Sequence, residues 1–294
     1  MIDFPTLSME EAANYLSLPF NQSQEGYEEF VQTILGFYEN HGRAFVWRET
    51  SDPYRILLSE VMLQQTQTSR VIPKYELFLS LWPTLKDLAE VELDELLYHW
   101  KGLGYNRRAL NLRKSAIACR EWGWNLPKKQ AELLSLPGVG KATAAAIGAF
   151  SYRERTIYLE TNIRRVLLHC FYPDQEGVKD KDLELLLGRL VQLVKDPKAW
   201  YYALMDFGVL LKHLLPNANI RSAHYTKQAK FENSNRQIRG QLIHLLSDTG
   251  AKEQEQVIAL LSHFEEERVL YCLGQLEKEG FVEETEGTYR IAKA

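Results

Sequence analysis

The sequence predicts an all-α protein closed by a small α+β module. Apolar residues recur at helical spacing through most of the chain, and proline and glycine fall between those stretches. Only the segment from Gly280 to Ile291 reads as strand. At roughly 150 residues per domain, 294 residues suggest two domains.

The elements follow in order. Phe30, Ile34, Phe37 and Tyr38 mark one face of a helix over 27–40, closed by His41-Gly42. Asp52 reads as an N-cap and Pro53 as the first helical residue of a helix continuing through 54–69. Pro73 and Pro83 punctuate shorter helices after it. Segments 88–100 and 107–122 are amphipathic and joined by the turn Gly102-Leu103-Gly104. A short helix over 131–136, a tight turn at Pro137-Gly138-Val139-Gly140 and an alanine-rich helix over 141–150 come next. Helices at 161–171, 182–194 and 200–215 continue the pattern, with no strand pair before the C-terminus. Residues 216–234 then read as a basic linker, where periodicity lapses. Helices at about 235–248, 252–262 and 265–279, followed by two short strands about a turn, give a winged-helix-like outline.

Composition excludes several classes. Hydrophobic residues make up 45% and charged residues 25%, so the chain is globular and not disordered. No run of 18 apolar residues supports a membrane span, and the N-terminus lacks the charge and apolar core of a secretory signal. A cytoplasmic protein is expected, nucleoid-associated if bacterial. Three scattered cysteines (Cys119, Cys170, Cys272) make neither a disulfide framework nor a four-thiolate metal site. The net charge of −4 argues against a nucleic-acid partner only as an average. Residues 235–294 hold seven basic and eleven acidic residues, which is the whole deficit, so residues 1–234 are balanced. Within them, Lys101, Arg107, Arg108, Arg113, Lys114 and Arg120 form a run without an acid. A second basic stretch covers 212–239, with Glu232 as its one acid. Such patches fit either phosphate contacts or a solvated helix face.

Three motifs carry chemistry. In Leu136-Pro137-Gly138-Val139-Gly140-Lys141, two glycines open a small-residue helix and present backbone N–H groups at its positive end, suited to one phosphate. The same residues also suit a plain helix–helix turn. Glu60 lies mid-helix with Ile56, Leu57, Leu63 and Gln64 as its i±3 and i±4 neighbours. An apolar face raises a carboxyl pKa and makes a general acid, although a core glutamate paired with an arginine reads equally well. Glu160 stands where an apolar segment meets a helix start, as an N-cap region also would.

Together, in order and spacing, Glu60, the hairpin and Glu160 resemble the helix-hairpin-helix DNA glycosylases, and most closely the A/G mismatch-specific adenine glycosylases of the MutY type. Val46-Trp47-Arg48 before Asp52-Pro53-Tyr54, the run Trp100-Lys101-Gly102-Leu103-Gly104-Tyr105, and Phe207-Gly208 extend the match over about 27–215. The resemblance implies a two-lobed all-helical domain with the active site in the cleft between lobes. One six-helix lobe would cover about 53–150, and a second lobe 27–52 plus 151–215, with 1–26 an N-terminal extension and 235–294 a separate module. It implies base excision by hydrolysis of an N-glycosidic bond in duplex DNA, the mispaired or damaged base having left the stack. Glu60 would protonate adenine at N7, and Glu160 would stabilise the oxocarbenium-like sugar and help place the water. Gln65 and Tyr105 match residues that wedge into the duplex. Gly138, Val139, Gly140 and Lys141 would hold a phosphate, with Arg107 and Arg108 as further DNA contacts.

Four departures qualify the resemblance. Glu160 stands where the family almost always has aspartate, and a displacement of about 1 Å can cost on the order of 100-fold in rate. The cysteines that bind an iron–sulfur cluster in many relatives are missing from 212–231, so no cofactor is expected. Ala142 occupies the position of the Schiff-base lysine in strand-cleaving relatives, which implies a monofunctional enzyme, and of the MutY-type tyrosine, which leaves base choice open. The domain that reads 8-oxoguanine is replaced by the winged-helix-like segment. Glu265, Glu266 and Glu267 begin its third helix and Glu283, Glu284 and Glu286 mark its hairpin, so it suggests a protein contact, a self-contact or a lid. Adenine is the favoured base. The alternatives are uracil, thymine or hypoxanthine, or a non-catalytic binder of distorted DNA.

Overall fold

The computed structural model describes residue 4 and residues 7–16, 20–227 and 230–293. It is helical almost throughout. In chain order the helices are α1 (Met9–Asn14), α2 (Gln24–His41), α3 (Pro53–Leu63), α4 (Thr68–Leu81), α5 (Leu85–Glu90), α6 (Leu93–Trp100) and α7 (Arg107–Ala118). Then follow α8 (Gln130–Ser135), α9 (Lys141–Tyr152), α10 (Thr161–Phe171), α11 (Asp180–Leu190), α12 (Pro197–Leu214) and α13 (Asn235–Thr249). The C-terminal segment continues with β1 (Lys252–Glu253), α14 (Gln254–Leu260), α15 (Glu266–Lys278), β2 (Val282–Thr285) and β3 (Thr288–Ile291). No helix among the described residues is long and apolar enough to cross a membrane.

The chain divides into two compact units, one of Met1–Ile56 with Val139–Lys227, the other of Leu57–Gly138 with Gln228–Ala294. This differs from the expected division, because 235–294 belongs to the same unit as 57–138 instead of standing apart.

In the first unit α12 packs on α2 and α10. Its buried face includes Trp200, Leu204, Phe207 and Leu210, which meet Phe30, Ile34 and Phe37 of α2 and Ile163 and Leu167 of α10 in one core. Phe30 meets Trp200 edge-on at 5.8 Å and Phe37 meets Phe207 at 5.3 Å. Gly208 permits the closest approach, since a Cβ there would lie 2.5 Å from the Asn162 carbonyl oxygen. A buried ion cluster holds the 43–48 loop against α12. Asp206, wholly buried, accepts from the Arg43 backbone N–H and side chain at 2.8 Å and from both terminal nitrogens of Arg48 at 2.7 and 2.8 Å. The Arg48 guanidinium also lies 4.6 Å over the Tyr202 ring.

The expected 1–26 extension is part of this core where it is described. Phe4 and Tyr15 contact Phe37 at 5.6 and 5.3 Å, and the Phe20 N–H donates to the Cys170 carbonyl at 2.9 Å. Residues 1–3, 5–6 and 17–19 lie outside the described residues. The expected linker is also partly folded: Asn219 donates to the Thr161 carbonyl and Arg221 to that of Leu168, while Val178 and Ser222 form an isolated parallel bridge. Residues 228–229 of that linker lie outside the described residues.

In the second unit α5 packs on α7, and α13 packs on both α6 and α15. Three helix boundaries differ from expectation. The helix expected over 54–69 breaks after Leu63, where Gln65 takes a left-handed conformation (φ 55°) before α4 begins. Pro73 lies inside α4, and the Ser69 carbonyl it leaves unbonded belongs to an exposed residue open to water. The helix expected over 88–100 is two, separated at Val91, whose carbonyl accepts from Arg113 Nε at 2.6 Å. The C-terminal segment gains a strand that the sequence did not suggest. β1 pairs antiparallel with β3 through Lys252↔Tyr289, giving the sheet order β1-β3-β2 of a winged helix.

Removing one member of a buried ion cluster leaves the rest uncompensated. Asp206→Ala should therefore lower the unfolding free energy by about 3–5 kcal/mol, read as a lower urea midpoint at constant slope.

Candidate active-site residues and nucleic-acid interface

Glu60 lies on α3, whose start matches expectation: Asp52 Oδ1 accepts from the Tyr54 and Arg55 N–H groups at 2.8 and 3.1 Å. Ile56, Leu57, Leu58, Val61 and Met62 are buried around it, while Glu60 itself is half-buried. The helix ends on Arg108. That guanidinium donates to the Val61 and Met62 carbonyls (2.7 and 2.9 Å), to the Thr66 hydroxyl (3.0 Å) and to the Leu103 and Gly104 carbonyls (2.9 and 3.0 Å). Desolvation lowers its pKa to about 10, so it remains a cation at neutrality.

Arg108, expected to contact DNA, has its donors turned inward, two of them on the C-terminal carbonyls of α3, which no intrahelical partner satisfies. Arg107 pairs with Glu279 at 2.6 Å, and its side chain stays largely exposed. Arg239 meets the same carboxylate at 2.6 Å. Burial pushes the Glu279 pKa up, but the two guanidiniums prevail and hold it below the usual carboxylate range. Lys101 pairs with Asp248 at 2.5 Å, and Arg113 is buried on Val91. Of the basic run, only Lys114 and Arg120 are exposed without an ion pair or hydrogen bond described above. A one-dimensional charge count registered the cations but not the carbonyls and carboxylates folded against them.

Gln65 and Tyr105, expected to enter the duplex, are both exposed and both left-handed, with φ 55° and 47°. Such backbone in residues other than glycine is uncommon and is held in place by its surroundings. The Tyr105 hydroxyl accepts from Arg236 at 3.1 Å, and the Arg108 guanidinium lies 5.6 Å over its ring.

The hairpin runs from α8 to α9. Gly138 has φ 77°, and a Cβ there would lie 2.7 Å from that of Asn111; the neighbouring Pro137 carbonyl accepts from the Ser115 hydroxyl at 2.6 Å. Gly140 has φ −89° and open space where a Cβ would sit. Gly140, Lys141 and Ala142 are exposed at the start of α9, where the first N–H groups have no intrahelical acceptor. The Val139 side chain is buried, so only its backbone is available to a phosphate.

Glu160 is the N-cap of α10. Its Oε1 accepts from the Asn162 and Ile163 N–H groups at 2.8 Å each, and Asn162 Nδ2 lies 3.4 Å from Oε2. Arg165 orients that asparagine, donating to Asn162 Oδ1 at 2.8 Å and to the Gly208 carbonyl at 3.0 Å. Desolvation raises the Glu160 pKa, against the lowering effect of the two backbone N–H groups and of Arg165 and Arg164. One oxygen thus caps the helix, with the second held by an asparagine. Asn111, Asn162 and Arg165 were not singled out in the sequence, because polar residues inside amphipathic helices carry no local mark of what they orient; Arg236 was read only as one cation of the basic stretch over 212–239.

Cys119, Cys170 and Cys272 are free and buried on separate elements, and burial pushes the Cys119 thiol up to about 11. Among the described residues no group of three or more His, Cys, Asp or Glu side chains is placed to hold a metal. This donor set does not fit an iron–sulfur cluster.

Residues 58–192, which hold the hairpin, the capped carboxylate and the half-buried glutamate, match the HhH-GPD superfamily of base excision DNA repair proteins. Within it, the chain is 36% identical over 187 residues to the adenine DNA glycosylase of Buchnera aphidicola subsp. Baizongia pistaciae, covering 62% of this chain and 52% of that protein. It is 29% identical over 281 residues to the adenine DNA glycosylase of Mycolicibacterium smegmatis, covering 88% and 94%. It is also similar to the solved structure of a thermostable thymine-DNA glycosylase, with a TM-score of 0.55, 28% identity and coverage of 62% and 85%. The chain thus spans about half the length of the Buchnera protein.

The two hairpin glycines should separate. Gly138→Ala meets Asn111 in a left-handed conformation and should cost about 1–3 kcal/mol. Gly140→Ala should leave the thermal midpoint nearly unchanged, within about 0.5 kcal/mol. Thermal unfolding of the pair checks both.

Proposed function

We propose that the protein is a monofunctional DNA glycosylase of base excision repair that removes a mispaired or damaged base from duplex DNA, adenine being favoured. The observation that carries this is the pair Glu60 and Glu160 inside a domain of that superfamily, one on an apolar helix face and one fixed at a helix start. The relatives' names support adenine. A purely binding protein has no need of a glutamate amid the buried apolar residues of α3.

In the proposed reaction the bond between C1′ and the base breaks as Glu60 gives its proton to N7 of the leaving adenine. Glu160, ionised, stabilises the positive charge developing on the sugar and takes the proton of the water that adds to C1′. The products are the free base and an abasic sugar. The backbone N–H groups at the start of α9, with Lys141, would bind one phosphate of the DNA backbone. We propose that no cofactor takes part, since residues 212–231 contain no cysteine. Ala142 leaves no amine at that position to form a Schiff base, so borohydride treatment during turnover should trap no covalent adduct; accumulation of one would overturn the monofunctional reading.

A second reading concerns the base. Ala142 and Glu160 both depart from the adenine-specific pattern, and the similar thymine-DNA glycosylase makes thymine opposite guanine the substrate to compare. For the C-terminal module we propose an intramolecular role first, because Asp248 and Glu279 are engaged with the 57–138 segment. Its exposed Glu265, Glu266 and Glu267 remain the face for a protein partner.

The test is single-turnover base release from duplexes carrying adenine opposite guanine or 8-oxoguanine, uracil, hypoxanthine, or thymine opposite guanine. Native protein should release adenine most rapidly. Glu60→Gln and Glu160→Gln should each lose at least about 100-fold. Full activity in Glu60→Gln would discard the proposed acid, and no release from any duplex would leave a binder. Glu160 must be ionised to act, and its pKa is raised. Release should therefore fall as pH drops through a value above the usual carboxylate range, measured as the acid limb of the pH–rate profile.

A further inference from the structure

Two ion pairs inside the second unit join the C-terminal module to the 57–138 segment: Lys101–Asp248 at 2.5 Å and Arg107–Glu279 at 2.6 Å. We infer that Asp248 and Glu279 are phosphate surrogates, covering two cations that the DNA backbone takes over on binding. The module thereby restrains the protein's own affinity for duplex DNA. The inference deepens the intramolecular role given to the module above and rests on the reading that Tyr105 enters a duplex.

Three observations carry it. The first is position. Lys101 follows α6 and precedes the turn Gly102-Leu103-Gly104-Tyr105, and Arg107 begins the helix after that turn. A side chain that enters a duplex brings the neighbours on its own turn against the flanking phosphates, since even the major groove is only about 12 Å wide. The second is availability. Although paired, the side chains of Lys101 and Arg107 remain 47% and 62% exposed. Surface pairs of this kind are weak and screened by salt, so a phosphate can displace the carboxylate. Arg108 and Arg113 differ, because their donors go to backbone carbonyls that hold the fold together.

The third is the shape of the seat. Glu279 spans the Arg107 fork, with Oε1 2.6 Å from a terminal nitrogen and Oε2 3.3 Å from Nε, and Oε2 also accepts from Arg239 at 2.6 Å. A fork-on-fork contact closed by a second guanidinium is how arginines hold a phosphate. Asp248 meets a lysine, which binds phosphate as a point charge. Phosphate contacts carry no sequence information, so the covering weakens binding to undamaged duplex as much as to a lesion. The share of affinity that depends on the extruded base is correspondingly larger.

The test uses the full chain and two duplexes, one undamaged and one carrying a tetrahydrofuran abasic analogue opposite guanine. Affinity is measured by fluorescence anisotropy over a series of salt concentrations. One added phosphate contact steepens the slope of log K against log salt by about 0.9, which at about 0.1 M salt is roughly eightfold in affinity. Asp248→Asn and Glu279→Gln should therefore each tighten both duplexes by about three- to eightfold at that salt, with a slope steeper by about 0.5–0.9. The gain should depend on the cation uncovered. In a Lys101→Met background, Asp248→Asn should gain less than about 1.5-fold. In an Arg107→Met background, Glu279→Gln should keep less than about half of its gain, Arg239 being the less exposed guanidinium. Glu266→Gln removes the same charge from an exposed position of the module and should change affinity less than about twofold. Thermal unfolding confirms that each variant is folded, and either pair decides alone if a variant of the other is not. Unchanged affinity in both acid variants overturns the inference. So does a gain that survives loss of the partner cation, or one that Glu266→Gln reproduces, since either marks a general effect of charge. Failure of the glycosylase reading has a different signature: no base is released from the mismatch duplexes while these affinities still move.

Discussion

The guanidinium of Arg108 is the interaction on which the second unit depends. It gathers carbonyls from the end of α3 and from the 103–104 turn, with the Thr66 hydroxyl between them. A helix C-terminus presents unsatisfied, partially negative carbonyls, and a cation there is favourable. Because those carbonyls are bound sideways by an arginine, the chain leaves the helix at Leu63 and turns through Gln65. The same guanidinium holds the turn preceding Tyr105. A single half-buried cation thus holds the end of the helix that bears Glu60 and the turns that carry the two left-handed positions.

The same geometry accounts for the charge distribution. An acid-free run over 101–120, centred on α7, lies in one unit with a C-terminal module that carries the whole negative deficit of the chain. Within one compact unit, the run's cations are matched by Asp248, by Glu279 and by backbone carbonyls. In what resembles a phosphate-binding strip in the sequence, Arg108 and Arg113 turn inward and Lys101 and Arg107 pair with carboxylates of the same unit. The proposed phosphate site at the exposed start of α9 would draw on backbone dipoles and not on net charge.

Much of the fold was legible because local chemistry dictated it. α10 spans Thr161–Phe171 as periodicity suggested, and Asp52-Pro53 opens α3 with the cap its side chain favours. The hairpin glycines were readable because a left-handed φ at Gly138 is a local demand. Features set by distant partners were not legible. The break at Val91 follows from Arg113, 22 residues away in sequence. β1 is two residues long and exists only through β3, too short for any alternation to show. Glu160 was readable as a helix cap from its place at a helix start, and one of its oxygens caps α10, while the desolvation that raises its pKa comes from packing that no local pattern displays.

The second unit is discontinuous in sequence, and that bears on how the chain reaches its folded state. Its first part, Leu57–Gly138, is followed by Val139–Lys227, which belongs to the other unit, before Gln228–Ala294 supplies the rest. During synthesis at about 5–20 residues per second, the face of α6 that α13 covers therefore waits on the order of 7–27 seconds for its partner. For that interval a half-built unit displays apolar surface and unmatched cations, on a ribosome surrounded by RNA. The acids of the C-terminal module are made after those cations and pair with Lys101 and Arg107, so completing the fold also neutralises them.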